Sequence, residues 1–149
     1  MKPLHELIPV LQVAVGPVIL ISGVGLLLLT LTNRFGRAVD RSRFLVRELR
    51  EMQGDRASVE AQIEILVRRA KWIRLAITLA AISVLLTALL IIVLFLAALL
   101  DFEGGLLISL IFIGCMTALI VSIGAFVFEV HLSLKALHLD VAGAKAAKG

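Results

Sequence analysis

The sequence predicts an all-α, polytopic membrane protein: three transmembrane helices, with a cytoplasmic antiparallel helical hairpin between the first and second spans. Three observations carry that expectation. Of the 149 residues, 60% are hydrophobic and the mean hydropathy is +1.07, more apolar surface than a soluble domain of this size can hide. Three apolar stretches, about 8–32, 72–100 and 106–130, each exceed the roughly 20 residues that a span needs. Between the first two lies a charged segment, about 34–71, whose apolar residues still repeat at helical spacing. The chain 1–149 therefore reads as a single membrane domain, closed by a short cytoplasmic tail at 131–149.

The first span, Ile8–Thr32, contains no acid, lysine or arginine. Its apolar run is far longer than the ~7–15 residues of a signal-peptide core, and no small-residue cleavage site follows, so it should persist as a span. Projected as a helix, it carries Gln12, Gly16, Ile19, Gly23, Leu26, Thr30, Asn33 and Arg37 along one face, with Pro17 and Gly25 opposite. Polar atoms facing lipid are costly, so the stripe Gln12, Gly16, Gly23, Thr30 and Asn33 should face protein or water. It is either a close-packing surface or the lining of a pore. Pro17 removes one backbone hydrogen bond and is expected to bend the span.

After the first span the pattern changes without a break. Phe35, Ala38, Ser42, Leu45, Leu49 and Met52 repeat at heptad-like spacing, as do Val59, Ile63, Leu66, Ala70 and Ile73, with charges between them. Gly54–Asp55 interrupts the run, and Asp55 can cap a second helix. Phe35 with Ile73, Ala38 with Ala70, Ser42 with Leu66, Leu45 with Ile63 and Leu49 with Val59 are all symmetric about Gly54, as an antiparallel hairpin requires. The same symmetry sets Ile8 opposite Leu100, the outer ends of both spans. The expected structure is two long continuous helices that carry their seams about 30 Å beyond the bilayer. Broken helices lying on the bilayer surface are the alternative.

Charge sets the orientation. Residues 34–74 carry eleven Lys/Arg against six Asp/Glu, whereas "DFEGG" at 101–105 has two acids and no base. The positive-inside rule puts 34–74 in the cytoplasm, the N-terminus and the tip at Asp101 and Glu103 outside, and the tail with Lys135, Lys145 and Lys148 inside. In "NRFGRAVDR", Arg34, Arg37, Asp40 and Arg41 stand where the bilayer ends. They suit either a lipid-headgroup collar or the inner mouth of a pore, with Asp40 able to bridge Arg37 and Arg43.

The second and third spans are joined by a short turn, so they are neighbours. Ser83 and Thr87 can bond carbonyls of their own helix. The third span has a small-residue stripe, Gly114, Ala118 and Ser122, continued by Ala125 and Glu129, that favours close helix packing. Cys115 is the one cysteine and reads as a small packing residue. Pairing across the turn brings Glu129 toward Arg74; because a lone carboxylate at that depth is costly, either an ion pair or hydrogen bond joins them or Glu129 reaches up to the headgroups.

The stretch "VAVGPVILISGVGLLLLTLTNRFGRAVDRSRFL", followed by a charged helix and two further spans, resembles the bacterial membrane-protein family called domain of unknown function 2721. Gly16-Pro17, Ser22-Gly23, Asn33-Arg34 and Asp40-Arg41 are the most specific part of the likeness. The resemblance implies a small three-span protein of the bacterial inner (cytoplasmic) membrane and brings no functional residues with it.

Chemistry is sparse. His5, His131 and His138 lack the carboxylate or cysteine that would complete a metal shell. No nucleophile–base pair or phosphate loop occurs. Neither an enzyme, a metal nor a cofactor is expected. Nucleic acid is not expected either: aromatics are 5%, and the arginines are membrane-proximal. Three spans enclose little space alone, so the expected partners are membrane lipids and further copies of the chain. Two functions remain open: a homo-oligomeric channel for cations lined by the first span, or a non-conducting scaffold that binds partners through the hairpin.

Overall fold

A computed structural model describes residues 4–51, 56–100 and 104–146, with side chains over 8–9, 11–49, 59–100 and 104–133. The expected turn at Gly54–Asp55, Met52 and the tip at Asp101 and Glu103 lie outside the described residues. So do the side chains of His5, Glu6, Lys135, His138 and Lys145, and all of Lys148.

The described chain is all helix. It forms α1 (Leu4–Glu51), α2 (Arg56–Leu100) and α3 (Gly105–Ala146). All three are long and apolar enough to cross a membrane. Both α1 and α2 run unbroken from an apolar stretch into a charged one, and α1 continues through Pro9 and Pro17. The third helix continues past Val130, where its apolar run ends, to Ala146 through the helix-forming Leu, Ala and Lys of the tail. It opens on the bond from Ile108 N–H to the Gly104 carbonyl.

Burial along each helix follows a 3.5-residue period, as in helices that pack at shallow angles. On α2 the buried line is Ile73, Ala76, Ala80, Ser83, Thr87 and Leu90. On α1 it includes Val24, Leu31, Ala38 and Leu45, at seven-residue steps, with Ala14 further up. On α3 it is Cys115, Ser122, Ala125 and Glu129. Half of the α2 line is Ala or Ser, which lets neighbouring helices approach closely. Most large apolar side chains point outward instead, as lipid-facing residues do; Leu26, Leu85, Leu106 and Ile120 are among the most exposed.

The chain divides into two compact units. The first comprises Met1–Leu29 and Thr78–Ser122, the second Thr30–Ile77 and Ile123–Gly149.

Candidate functional site

In the first unit the buried polar groups are neutral and satisfied. The Thr87 hydroxyl donates to the Ser83 carbonyl one turn back, at 2.8 Å. The Ser83 hydroxyl crosses to α3 and donates to the Cys115 carbonyl at 3.1 Å. Its expected bond within α2 is thus replaced by one between helices. The Cys115 thiol, also buried, lies within hydrogen-bonding reach of both hydroxyls. A Cβ added at Gly114 would rest 3.6 Å from the Leu86 side chain. An apolar cavity of about 230 Å³ adjoins the cluster, lined by Gly16, Pro17, Leu20, Thr87, Leu90, Phe112, Cys115 and Met116. Its walls carry almost no polar surface, so it suits hydrocarbon rather than water.

The second unit is built around a charge. Glu129 is completely buried. Arg69 donates to its Oε1 from both Nε (3.2 Å) and Nη2 (3.0 Å). Arg34 places Nη2 3.1 Å from Oε2. That contact is an ion pair without hydrogen-bond alignment, for Oε2 accepts no hydrogen bond among the described residues. The two arginine side chains keep 26% and 22% exposure. Hence the arginine side chains stay partly open to their surroundings while the carboxylate is enclosed. Arg34 also stacks its guanidinium 5.2 Å over the Phe126 ring. One turn from Arg69, Trp72 packs against Phe128 with ring centroids 4.6 Å apart.

Arg34 and Arg69 clamp Glu129, which the sequence expectation pairs with Arg74. Five residues separate Arg74 from Arg69, about 140° around the helix, and Arg74 is exposed. Trp72–Phe128 and Arg69–Glu129 set the α2–α3 register about one helical turn from the pairing drawn across the turn. Arg34, expected in a lipid-headgroup collar or at the inner mouth of a pore, also reaches α3. The signal available in the sequence was positional: Arg34, Arg69 and Glu129 all stand at the same edge of the three apolar runs.

Beside the clamp lies a groove of about 370 Å³, lined by Arg34, Arg37, Ala38, Arg41, Leu66 and Arg69. Arg37 and Arg41 are exposed, and Arg41 lies 5.4 Å over the Phe44 ring. Asp40 is exposed, outside the groove, and forms no ion pair with Arg37 or Arg43 among the described residues. On the other side of α2 a second depression, lined by Glu64, Val67, Arg68, Lys71, Trp72 and Leu75, mixes charge signs.

The remaining predicted residues fall as follows. Gln12, Gly16, Gly23, Thr30 and Asn33 are all exposed; they flank the buried line of α1, and Gly16 also borders the apolar cavity. A Cβ added at Gly16 or Gly23 would meet nothing within 4 Å. Gly114 and Ala118 are half-buried, and Ser122 is buried. Phe35, Ala38, Ser42, Leu45 and Leu49 are buried or half-buried, as are Val59, Ile63, Leu66, Ala70 and Ile73. His131 is exposed, with Nδ1 2.9 Å from the Val127 carbonyl of its own helix.

No curated protein and no solved structure gives a match to this chain. Residues 14–139, which contain the Glu129 clamp, the arginine groove and all of the exposed stripe of α1 except Gln12, match the family described as "Protein of unknown function (DUF2721)", and the chain belongs to that family.

Proposed function

We propose that this multi-pass membrane protein works as a homo-oligomer assembled through the exposed stripe of α1, with an ion path along the shared axis. The observation that carries the reading is the stripe itself. Five polar or side-chain-free positions, Gln12, Gly16, Gly23, Thr30 and Asn33, form an exposed stripe along a membrane-length helix, with Gly16 at the edge of the apolar cavity. Lipid is a poor environment for such a face, and further copies of α1 are a good one. In this reading Gln12, Thr30 and Asn33 line the path, and Gly16 and Gly23 let neighbouring copies approach. Acids at the outer end, Glu6, Asp101 and Glu103, attract cations. The charge asymmetry of residues 34–74 sets that segment in the cytoplasm of a bacterial cell. There the extensions of α1 and α2 pair as an antiparallel hairpin about Gly54. The burial of Phe35, Ala38, Leu45, Leu66 and Ile73 supports that pairing.

A second reading is a non-conducting scaffold assembled through the same face. Ile19 and Leu26 on the stripe are 66% and 70% exposed, and they would form a dry seam between copies. Planar-bilayer recording of the purified oligomer separates the two. The channel reading expects conductance that changes with Gln12→Leu or Thr30→Val. Silent bilayers from an intact oligomer favour the scaffold, and a protein that stays monomeric in detergent and in lipid discs removes both.

A further inference from the structure

We propose that the groove between Arg34, Arg37 and Arg41 of α1 and Arg69 of α2 is a binding site for a phosphate group, with Glu129 holding two of its four guanidiniums in position. Arg34, Arg37 and Arg41 recur at three- and four-residue steps, so they stack on one face of α1. Arg69 closes the groove from α2. Four guanidiniums against the single carboxylate of Glu129 leave three positive charges in excess. Charges so crowded repel one another unless an anion fills the space between them.

The chemistry of the walls selects the anion. Every cation lining the groove is an arginine, whose planar fork matches two phosphate oxygens at once, as a lysine ammonium does not. Arg69 is fixed by two hydrogen bonds to Glu129, and Arg34 by its ion pair and its stacking on Phe126. Those two heads are ordered in advance, while Arg37 and Arg41 are both exposed and can turn onto a ligand, Arg41 from its place over the Phe44 ring. The volume of about 370 Å³ falls in the ordinary range for small-molecule sites, about 300–1,000 Å³. Along the chain the groove begins two residues after the apolar run ends at Thr32, and Trp72 stands three residues from Arg69. Lipid phosphates and interfacial tryptophans share that depth. A phosphate of either origin fits, from an anionic lipid headgroup or from solution. The inference does not depend on the oligomer.

The test uses the full-length protein, delipidated and reconstituted in phosphatidylcholine discs. One arm titrates inorganic phosphate and pyrophosphate by calorimetry. The other measures retention of phosphatidylglycerol and phosphatidic acid against phosphatidylcholine by native mass spectrometry. Binding in the first arm identifies a soluble phosphate; selective retention in the second alone identifies a lipid. In whichever arm binds, R37Q/R41Q should weaken affinity about thirtyfold, since each basic residue near a phosphate is worth about a factor of five. R68Q/K71Q, which removes equal charge from the other side of α2, should weaken it less than about threefold. Wild-type protein that binds no phosphate and retains no anionic lipid overturns the proposal. Equal losses in the two double variants also overturn it, because they would reveal diffuse surface charge in place of a site.

Discussion

The first unit buries Ser83, Thr87 and Cys115, while the second buries Glu129 under Arg34 and Arg69. Both put polar atoms among apolar helices, but the groups differ in what they require. The neutral hydroxyls and thiol satisfy one another and nearby carbonyls, and each is small enough to keep the helices close. The carboxylate has no such economy. It is fully buried, it draws two long side chains from two other helices, and Oε2 still lacks a hydrogen-bond donor. The neutral cluster is a packing device in which losing one member should cost little. The charged cluster is a clamp in which losing one partner strands the other.

The sharpest way to break that contrast is Glu129→Ala. Removing one member of a buried ion pair costs about 3–5 kcal/mol. The partly exposed arginine heads recover some water, so the loss should sit near the lower figure. The readout is native to the protein. Trp72, its one tryptophan, packs beside the clamp against Phe128, the rings tilted by 51°. Its emission should shift red, and the unfolding midpoint in detergent titration should fall. Glu129→Gln, which keeps the shape and an acceptor, should recover part of the loss. A cost below about 1 kcal/mol would mean that the clamp behaves as a surface pair.

Next in size is Ala80→Leu. Ala80 is fully buried between Ala76 and Ser83 on the small-residue line of α2, and forcing a larger side chain into a packed seam costs about 1–3 kcal/mol. The probe is Cys115, the one thiol, which is buried and should label slowly with maleimide in the parent protein. In Ala80→Leu labelling should accelerate. Ser83→Ala should cost less, about 0.6 kcal/mol and at most about 1.7, the range for hydrogen bonds between membrane helices. If Ser83→Ala proves as damaging as Glu129→Ala, the distinction between packing device and clamp fails.

These effects also mark what the sequence could and could not say. Three helices of membrane length follow from apolar runs and need no tertiary knowledge. So does the continuation of α1 and α2 into charged sequence, because the period survives while the composition changes. The face that each helix buries is harder to read. On α2 the line Ala76–Ala80–Ser83 is hidden among Leu and Ile that look equally suited to a core. In lipid the large apolar residues face out, and the small ones mark the interior. The clamp was half legible. A carboxylate at the end of an apolar run demands a cation, but arginine reaches far enough that several candidates qualify. Arg69, on the inner face of α2, is one of the two arginines that hold Glu129.

The smallest effect within one chain, and the most informative between chains, is that of Gly23→Leu. Its Cβ would meet nothing within 4 Å, whereas one at Gly114 already touches Leu86 at 3.6 Å. Stability of the single chain should therefore change by no more than about 0.5 kcal/mol at Gly23, as for other surface positions. Gly114→Leu, by contrast, should push α2 and α3 apart and expose Cys115. If copies of α1 meet along the stripe, the same Gly23 substitution must fill their contact and shift the protein toward monomer, with Trp72 emission and Cys115 protection unchanged. Light scattering on the detergent-solubilised protein reads the mass directly. A Gly23→Leu oligomer of unaltered mass would mean that the stripe faces lipid. The polar character of Gln12 and Asn33 would then need an explanation other than assembly.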